Sequence, residues 1–442
     1  MICIGIDWAD DKHDVCIRDA EDRRILAEFT ITHDAEGVEQ LDQTVAALGF
    51  QPGGSSPEGF QSADCLVAVE TPHGLLVGYL LQTGYTVYAI PPLAVDRYRD
   101  RHRTSGAKSD KVDSRTLSDI LCVDRGYHRP IPADSPLAQE IQLVSRQRQR
   151  LVREQTRLKN QLTACLKAYY PAALDMFSGL DCSIAWAFLR RYPNAKAAAQ
   201  ASLEELKAFF AQQGYTCKRK ILEIYARLQA PAISVAEWQV RAMQRQMLLV
   251  VDLLATLVPQ IKAYEHELTS LLDQHADAFI FRSLPNAGDV TAAWLLGEIG
   301  DCRDKFESAR AMQALAGSCP VTIQSNKRRR VKFRVACCKP FRNALQQFAR
   351  LSVRGKAGSA WAKGYLSDQQ ARGHSVSRAT RALGNRWLAI IFRLWRDGVA
   401  YDEKVHLHNR ARRGHRVAAW KPALSGVEGP ILSWAEGPVL AI

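Results

Sequence analysis

Four carboxylates occupy positions that suggest a chemical role, at the ends of two apolar runs and on one face of a predicted helix. Asp7 follows an isoleucine-rich apolar run at the N-terminus, and Glu70 ends a second apolar run over residues 65–69. Both runs are typical of buried strands, in which an unpaired carboxylate is costly. Asp110 and Asp113 are three residues apart, a spacing that places both on one face of a helix. If the four groups meet, they repel one another unless a divalent cation binds them.

A site built only from carboxylates favours Mg²⁺ or Mn²⁺. Metal ions held in this way offset the negative charge of a phosphodiester and orient it for attack. The four carboxylates are therefore predicted to be both metal ligands and catalytic groups. The simpler alternatives are a hydrogen-bonded buried carboxylate for Asp7 and an exposed helix charge for Asp113. His73 and His102 are expected to be structural or to lie near phosphate, rather than to act as bases.

The order of strands and helices in residues 1–125 decides whether these groups can meet. Strands are predicted at 2–8, 15–18, 25–31, 65–70 and 85–90, with helices at 38–48, at 75–82 and over Asp110 and Asp113. A Gly-, Pro- and Ser-rich loop covers 51–62. Three strands followed by alternating helices and strands are typical of an RNase H-like sheet. In such a sheet the first and fourth strands are neighbours, so Asp7 and Glu70 are expected to meet.

Two long helices are predicted in the middle of the chain, at 137–170 and 236–275. Apolar residues recur in both at the three- and four-residue spacing of a coiled coil. Pro259 marks a point where the second helix can bend, and short helices are predicted between the two. The pattern fits an intrachain hairpin and an interface between subunits equally well.

A third region begins at residues 284–288, which resemble a helix-hairpin-helix turn that directs backbone N–H groups at phosphate. Helices are predicted at 306–316, 340–353 and 376–397. Between the first two of these, a basic run directly follows Ser325, a predicted loop serine that could equally be an ordinary turn residue. The run is predicted to bind nucleic acid rather than to be only a solvated loop, and it comprises Lys327, Arg328, Arg329, Arg330, Lys332 and Arg334.

The bulk composition favours a polyanionic partner. The 442-residue chain has a formal net charge of +13 and eleven cysteines, and such a charge is most simply explained by nucleic-acid binding. The cysteines include no C-x-x-C pair, which argues against a zinc site of that kind and against a small disulfide scaffold. No signal peptide or long apolar span is evident, so the protein is expected to be cytoplasmic, nucleoid-associated and without a membrane partner.

The motifs together resemble the DEDD-type insertion-sequence transposases of insertion-sequence family 110, also called bridge recombinases. The resemblance covers roughly residues 1–400 and carries the DEDD signature in Gly5–Asp7, Val69–Gly74 and Lys108–Asp113, and the transposase-domain pattern in Leu284–Gly288, Gly297–Asp301 and Ala316–Ser325. The last segment carries the nucleophilic serine of the family. Two features depart from the family: Asn326 replaces the usual glycine, and the stretch after it is unusually basic. Ser318 and Ser352 are the nearest rivals of Ser325.

The resemblance implies the fold class α/β plus all-α. It implies a RuvC-like DEDD domain with an RNase H fold at 1–130, a helical coiled-coil region at 131–278, and a mainly helical transposase domain with a helix-hairpin-helix-like entry at 279–410. A low-complexity tail at 411–442 repeats with a period of eight residues and has no core-forming composition.

The activity implied is that of a DNA transposase that cuts and rejoins strands through a serine–phosphate intermediate, assisted by carboxylate-bound Mg²⁺ or Mn²⁺. A serine hydroxyl needs activation, which the metal and the basic run would supply. Family members act as multimers, here a dimer or tetramer, and pair a structured guide RNA with DNA. The alternatives are a RuvC-like metal-dependent nuclease, in which water attacks, and a non-catalytic DNA-binding remnant.

Overall fold

A computed structural model describes residues 1–50, 64–102, 110–132, 134–177, 179–215, 218–231, 233–325 and 328–412. The chain divides into two units, Met1–Ala133 and Asp134–Ile442. The predicted loop at 51–62 lies outside the described residues, as does nearly all of the predicted tail at 411–442. The four-part domain division drawn from the sequence stays a prediction.

The first unit is built on a five-stranded sheet. Its elements are β1 (Ile2–Asp7), β2 (Lys12–Asp19), β3 (Ile25–Thr32), α1 (Ala35–Ala47), β4 (Cys65–Val69), α2 (Leu75–Gln82), β5 (Thr86–Ala89), α3 (Pro92–His102) and α4 (Asp110–Asp124). The strand order is β3-β2-β1-β4-β5, with β1 antiparallel to β2 and parallel to β4. The prediction of a mixed sheet with neighbouring first and fourth strands is confirmed.

The two faces of this sheet pack against different helices, because successive side chains of a strand point to opposite faces. Ile4, Ile6 and Val67 belong to the core that includes side chains of α1 and α2. Cys3 and Ala68 belong to the core on the other face, with side chains of α3 and α4. Residues of β1 with odd numbers and residues of β4 with even numbers therefore face α4.

Gly5 allows α4 to lie directly on β1. A Cβ atom at this position would lie 2.0 Å from the carbonyl oxygen of Ser114 and 2.5 Å from the amide nitrogen of Ser118. Both atoms belong to the helix backbone, so no side-chain rotation could relieve the clash. The absence of a side chain at Gly5 thus sets how closely the N-terminal half of α4 approaches the sheet.

We expect Gly5→Ala to destabilise the first unit by about 3 kcal/mol or more, because the helix backbone must move away from β1. Hydrogen exchange followed by mass spectrometry should show faster exchange in β1 and α4. Gly78→Ala in α2 is the matched control, since a Cβ there meets nothing within 4 Å. The control should be neutral or stabilising by up to about 1 kcal/mol; equal exchange rates in both variants would contradict the close-approach argument.

The predicted helix over Asp110 and Asp113 is α4, which confirms that prediction. One prediction for the first unit was wrong in detail. Strand β2 begins at Lys12 rather than at Val15, because its pairing with β3 continues as far as Lys12↔Thr32. The polar residues at the start of β2 hid this extension, since they lack the apolar alternation by which a half-buried strand is recognised.

The second unit is mostly helical, which confirms the predicted helical remainder. Its elements are α5 (Pro136–Tyr169), α6 (Ser183–Arg191), α7 (Ala195–Ala199), α8 (Leu203–Gln212), α9 (Lys218–Gln229), α10 (Glu237–Gln274), α11 (Ala278–Arg282), α12 (Gly288–Ile299), α13 (Ala309–Leu315), β6 (Val321–Ser325), β7 (Arg328–Lys332), α14 (Lys339–Leu351), α15 (Ala360–Ala371), α16 (Val376–Asp397) and α17 (Glu403–Arg412).

Helices α5 and α10 pack along each other within the chain, which confirms the hairpin interpretation. One end of the pair forms a core with α6, α8 and α9. The other end forms a core with the helices that follow α10. Pro259 lies inside α10 without ending it. The dimer interpretation of the same residues stays a prediction.

Helix α10 corrects the expectation that no long apolar span is present. By length and composition alone it could cross a membrane, and it is the one such helix among the described residues. Core helices of soluble proteins pass the same test. Here Met247, Val251 and Leu254 are buried in the core that α10 shares with α5, so packing within the unit accounts for the apolar character of at least one face.

The predicted helix-hairpin-helix turn joins α11 to α12. Asn286 and Gly288 both have positive φ, 56° and 58°, and the Asn286 side chain donates to the carbonyls of Leu351 and Arg354 at 3.0 and 2.9 Å. Asp289 stands in the first turn of α12. A carboxylate therefore already complements the positive end of this helix dipole, and the turn is fastened to the C-terminal end of α14.

Candidate active site

Asp7 and Glu70 end neighbouring parallel strands. The register pairs Ile6 with Val69, so the next step of the ladder places Asp7 beside Glu70, with strands about 5 Å apart. By the alternation along β1 and β4, both side chains lie on the face that packs against α4. Both residues are partly exposed. The structure thus brings together two of the four predicted carboxylates.

Asp113 lies on the same side of the sheet, in the first turn of α4. Its neighbour Ser114 contacts β1 at Gly5, two residues before Asp7. Asp113 is only 3% exposed, and its carboxylate forms an ion pair with Arg99 of α3, which also binds Asp96. The surface alternative for Asp113 is therefore wrong. Asp110 is the first residue of α4, and its side chain lies outside the described residues.

The chemistry of this donor set fits a hard divalent cation, because every member is a carboxylate. Burial of Asp113 supports the fit, since a buried carboxylate requires a positive partner. In this structure that partner is Arg99. No group of three or more His, Cys, Asp or Glu side chains placed to hold a metal is found among the described residues, which omit the Asp110 side chain.

Arg99→Met is expected to destabilise the first unit by about 3 kcal/mol, because it removes the guanidinium that pairs with the buried Asp113 carboxylate. If Asp113 is a metal ligand, Mg²⁺ or Mn²⁺ should raise the melting temperature of this variant more than that of the wild type. Thermal unfolding with and without metal measures both effects.

Arg115→Met supplies the matched control. Arg115 also lies on α4 and pairs with Glu28, but both side chains are about a third exposed, 38% and 31%. This pair should contribute less than about 1 kcal/mol, and its loss should not change the response to metal. An equal metal response in both variants would contradict a ligand role for Asp113.

Among the described residues, no histidine joins the carboxylates in a group of three or more that could hold a metal. His73 is exposed, and its backbone carbonyl accepts a hydrogen bond from Thr71. His102 stacks on Tyr98, with ring centroids 4.5 Å apart. The buried His13 lies 2.7 Å from a ring nitrogen of His33; burial and then the nearby His33 lower the pKa of His13, so it stays neutral. None of these contacts positions a base at Asp7.

Ser325 is the last residue of β6, so the expectation of a loop serine is wrong. Strands β6 and β7 form an antiparallel hairpin in which Ser325 pairs with Arg328. All residues of the two strands except Val321 are exposed. Strand β6 alternates apolar and polar residues only from Val321 to Gln324, and β7 has a single apolar residue, so the pattern was too short to predict the hairpin. Asn326 and Lys327 lie outside the described residues.

The register divides the basic run between two faces of the hairpin. Directly paired residues of an antiparallel ladder share a face. The serine face comprises Val321, Ile323, Ser325, Arg328, Arg330 and Lys332. The opposite face comprises Thr322, Gln324, Arg329 and Val331. The hydroxyl of Ser325 therefore lies on the same side as three cations, and Arg329 points away from it.

The base of the hairpin is held by two arginines of neighbouring helices. The guanidinium groups of Arg342 on α14 and Arg381 on α16 lie 4.4 and 5.2 Å from the ring centroid of Phe333. Arg342 also donates to the backbone carbonyl of Arg334. Arg334 is only partly exposed and follows the end of β7. It thus belongs to the anchored base, unlike the exposed cations of β7.

The rival serines are already engaged. The Ser318 hydroxyl lies 2.8 Å from the Asn385 side-chain oxygen. Ser352 is fully buried, where its hydroxyl donates to the Ala349 carbonyl and accepts from the Trp387 indole N–H. A nucleophile for DNA must be reachable, so Ser325 is the better placed of the three.

Known proteins resemble the chain over both units. Residues 4–171 match a DEDD-type transposase family named for IS110, and residues 278–366 match the transposase family IS116/IS110/IS902. A Streptomyces coelicolor protein that carries the name of a transposase for the IS117 mini-circle is 35% identical over 90% of this chain and 95% of its own length. The chain belongs to the IS110 transposase family.

Other relatives match smaller shares of this transposase. The protein y4uE of Sinorhizobium fredii is 32% identical over 40% of the chain and 46% of its own length. A 43.6 kDa protein of insertion element IS110 from Streptomyces coelicolor is 23% identical over 73% of the chain and 78% of its own length. As an IS110-family transposase, the chain is an enzyme that cuts and recombines DNA.

Two charged residues of this transposase were not singled out from the sequence. Asp14 lies opposite Asp7 in the register of β1 and β2, and its carboxylate accepts from the Thr30 hydroxyl at 2.6 Å. Arg99 binds Asp113. Asp14 was missed because β2 was predicted to begin at Val15, one residue after it. Arg99 has no sequence signal, because its ion pair with Asp113 joins two separate helices.

Proposed function

We propose that this transposase cuts and rejoins DNA through a covalent phosphate ester of Ser325, assisted by Mg²⁺ or Mn²⁺. The observation that carries the proposal is the serine face of the hairpin, where Ser325 lies among Arg328, Arg330 and Lys332. A serine hydroxyl is a weak nucleophile at neutral pH. Cations on its own side of the hairpin favour the alkoxide and attract the phosphate that it must attack.

The proposed step conserves phosphodiester bonds. The Ser325 oxygen attacks phosphorus, and a new serine–phosphate bond forms as the bond to one DNA oxygen breaks. The Ser325 hydroxyl gives up its proton, and the departing oxygen takes up one proton and leaves as a strand hydroxyl, so the step balances. Attack by another strand hydroxyl reverses the exchange and releases Ser325, so rejoining needs no ATP. The guanidinium groups of the serine face stabilise negative charge on the phosphate oxygens in both directions.

The first unit would serve as an RNase H-like, RuvC-type metal domain. Asp7, Glu70, Asp110 and Asp113 are the residues that would hold the cation. When bound, a divalent cation neutralises and orients the phosphodiester. The adjacent ends of β1 and β4 and the buried position of Asp113 support this assignment. In the absence of the cation, Arg99 pairs with the Asp113 carboxylate.

The family resemblance extends the proposal to partners. We propose that the transposase works as a homodimer or tetramer on DNA in the cytoplasm, guided by a structured RNA from its own element. The net charge of +13 suits such polyanionic partners. Copurification from cells that carry the flanking DNA, followed by RNA sequencing, would identify the RNA.

A covalent-adduct assay tests the proposed chemistry. The transposase is coexpressed with its flanking DNA, incubated with labelled element-end DNA and Mg²⁺, and run on a denaturing gel. The wild type should give a labelled protein band, with the label on the peptide that contains Ser325. Asp7→Ala should give none. Cleaved DNA without any adduct would instead indicate a metal nuclease in which water attacks.

A further inference from the structure

The first unit has a cleft at the far end of α4 from the carboxylates. A cleft of about 500 Å³ lies between α3 and the C-terminal end of α4. Arg97, Arg101 and His128 line it together with one carboxylate, Asp124. Asp124 is eleven residues beyond Asp113, which is about 16 Å along the helix. The cleft is therefore separate from the proposed metal site.

The cations of this cleft are available to a ligand. Arg97 and Arg101 are one helical turn apart, about 6 Å along α3, and both are exposed. Neither forms an ion pair with a described residue. Their helix neighbour Arg99 is different, because it is committed to Asp96 and Asp113. Two guanidinium groups at this spacing, neither paired with a described carboxylate, can contact successive phosphates of one strand.

Apolar and aromatic groups lie beside these cations. Leu93 and Ile120 line the cleft, and Leu93 is 60% exposed. Tyr98 also lines the cleft, but it is only 8% exposed and its hydroxyl donates to Asp119 at 2.7 Å. Tyr127, one residue before His128, is 88% exposed. A duplex offers mainly phosphates to such a surface, whereas a single strand can also stack its bases on apolar and aromatic side chains.

We propose that this cleft binds a single-stranded segment of nucleic acid. Arg97 and Arg101 contact its phosphates, and a base stacks against Tyr127. The chemistry is common to DNA and RNA, so the strand could be an unpaired stretch of either. The inference rests on the transposase activity of the chain and not on the serine mechanism. The cleft proposal and the serine mechanism can therefore fail separately.

Fluorescence anisotropy with full-length protein and labelled strands of about twelve nucleotides tests the cleft. Arg97→Ala/Arg101→Ala and Tyr127→Ala should each weaken single-strand binding by about tenfold, and duplex binding by less than about twofold. Single-stranded DNA and RNA form separate arms, and the more affected arm identifies the source of the strand. The substituted side chains are exposed, so folding should be retained.

Arg241→Ala/Arg245→Ala on α10 is the matched control, with the same spacing and the same loss of charge. It should leave single-strand binding within about twofold of the wild type. The proposal would be overturned if the control lost as much single-strand affinity as the cleft variants, or if the cleft variants lost as much affinity for duplex as for single strands. It would also be overturned if the cleft variants lost no single-strand affinity. Photocrosslinks from a single strand should map to residues 92–102 or 125–128, and crosslinks confined to other peptides would also overturn it.

Discussion

Ser325→Ala is expected to abolish the covalent protein–DNA adduct, with a fall in its rate of formation of at least about 10³-fold. Alanine has no oxygen to attack phosphorus, and nothing else on the serine face can replace it. The measurement is single-turnover adduct formation on labelled element-end DNA, read on a denaturing gel. DNA affinity should change little, because the four cations of β7 remain.

Ser318→Ala is the matched control for this experiment. Ser318 lies in the same segment, but its hydroxyl is bonded to Asn385, so its removal should leave the adduct at a rate within about tenfold of the wild type. Adduct formation by Ser325→Ala at the wild-type rate would exclude Ser325 as the nucleophile. Persistent cleavage without an adduct in Ser325→Ala, lost in Asp7→Ala, would leave a metal nuclease.

Arg328→Ala/Arg330→Ala is expected to slow adduct formation by about 10³-fold or more at saturating DNA, since each lost phosphate-stabilising donor costs on the order of 10²-fold. Both side chains share the face of Ser325 in the hairpin register. The effect should fall on the rate of the chemical step as well as on binding. Arg328→Lys/Arg330→Lys should recover part of the rate, because lysine keeps the charge without the bidentate geometry.

Arg329→Ala separates this role from general attraction to DNA. Arg329 lies on the opposite face with Thr322 and Gln324, so its loss should weaken DNA binding and lower the salt slope by about one. The rate at saturating DNA should stay within about tenfold of the wild type. If Arg329→Ala slowed the chemical step as much as loss of Arg328 and Arg330, the division of the hairpin into two faces would not describe the active complex.

The carboxylate site could be partly predicted because its signals are local. An apolar run that ends in a carboxylate was visible at Asp7 and again at Glu70, and the strand order placed the two runs side by side. The spacing of Asp110 and Asp113 indicated a shared helix face. Nothing local indicated Arg99, because an ion pair between two helices depends on their packing. The close approach of α4 to Gly5 likewise could not be predicted from the sequence, because it depends on the position of the helix backbone.

The serine segment shows the opposite case. Its chemistry was recognisable from Ser325 and the basic residues that follow, but its conformation was not. The alternation of β6 covers only Val321 to Gln324 and β7 has one apolar residue, so the exposed hairpin leaves only a weak periodic pattern. Its position depends on Phe333, held between Arg342 and Arg381 of two later helices.

The sequence by itself determined the mixed sheet of the first unit, the two long helices, the family and the residues able to do phosphate chemistry. These properties follow from apolar periodicity, composition and residue type, which act over short distances along the chain. Only the tertiary structure decided which cations share a face with Ser325, which guanidinium pairs with Asp113, and which arginines of α3 form no ion pair with a described residue. The physical reason is that hydrogen-bond register and helix packing join residues that are distant in sequence, and charge pairs form only after that geometry is set.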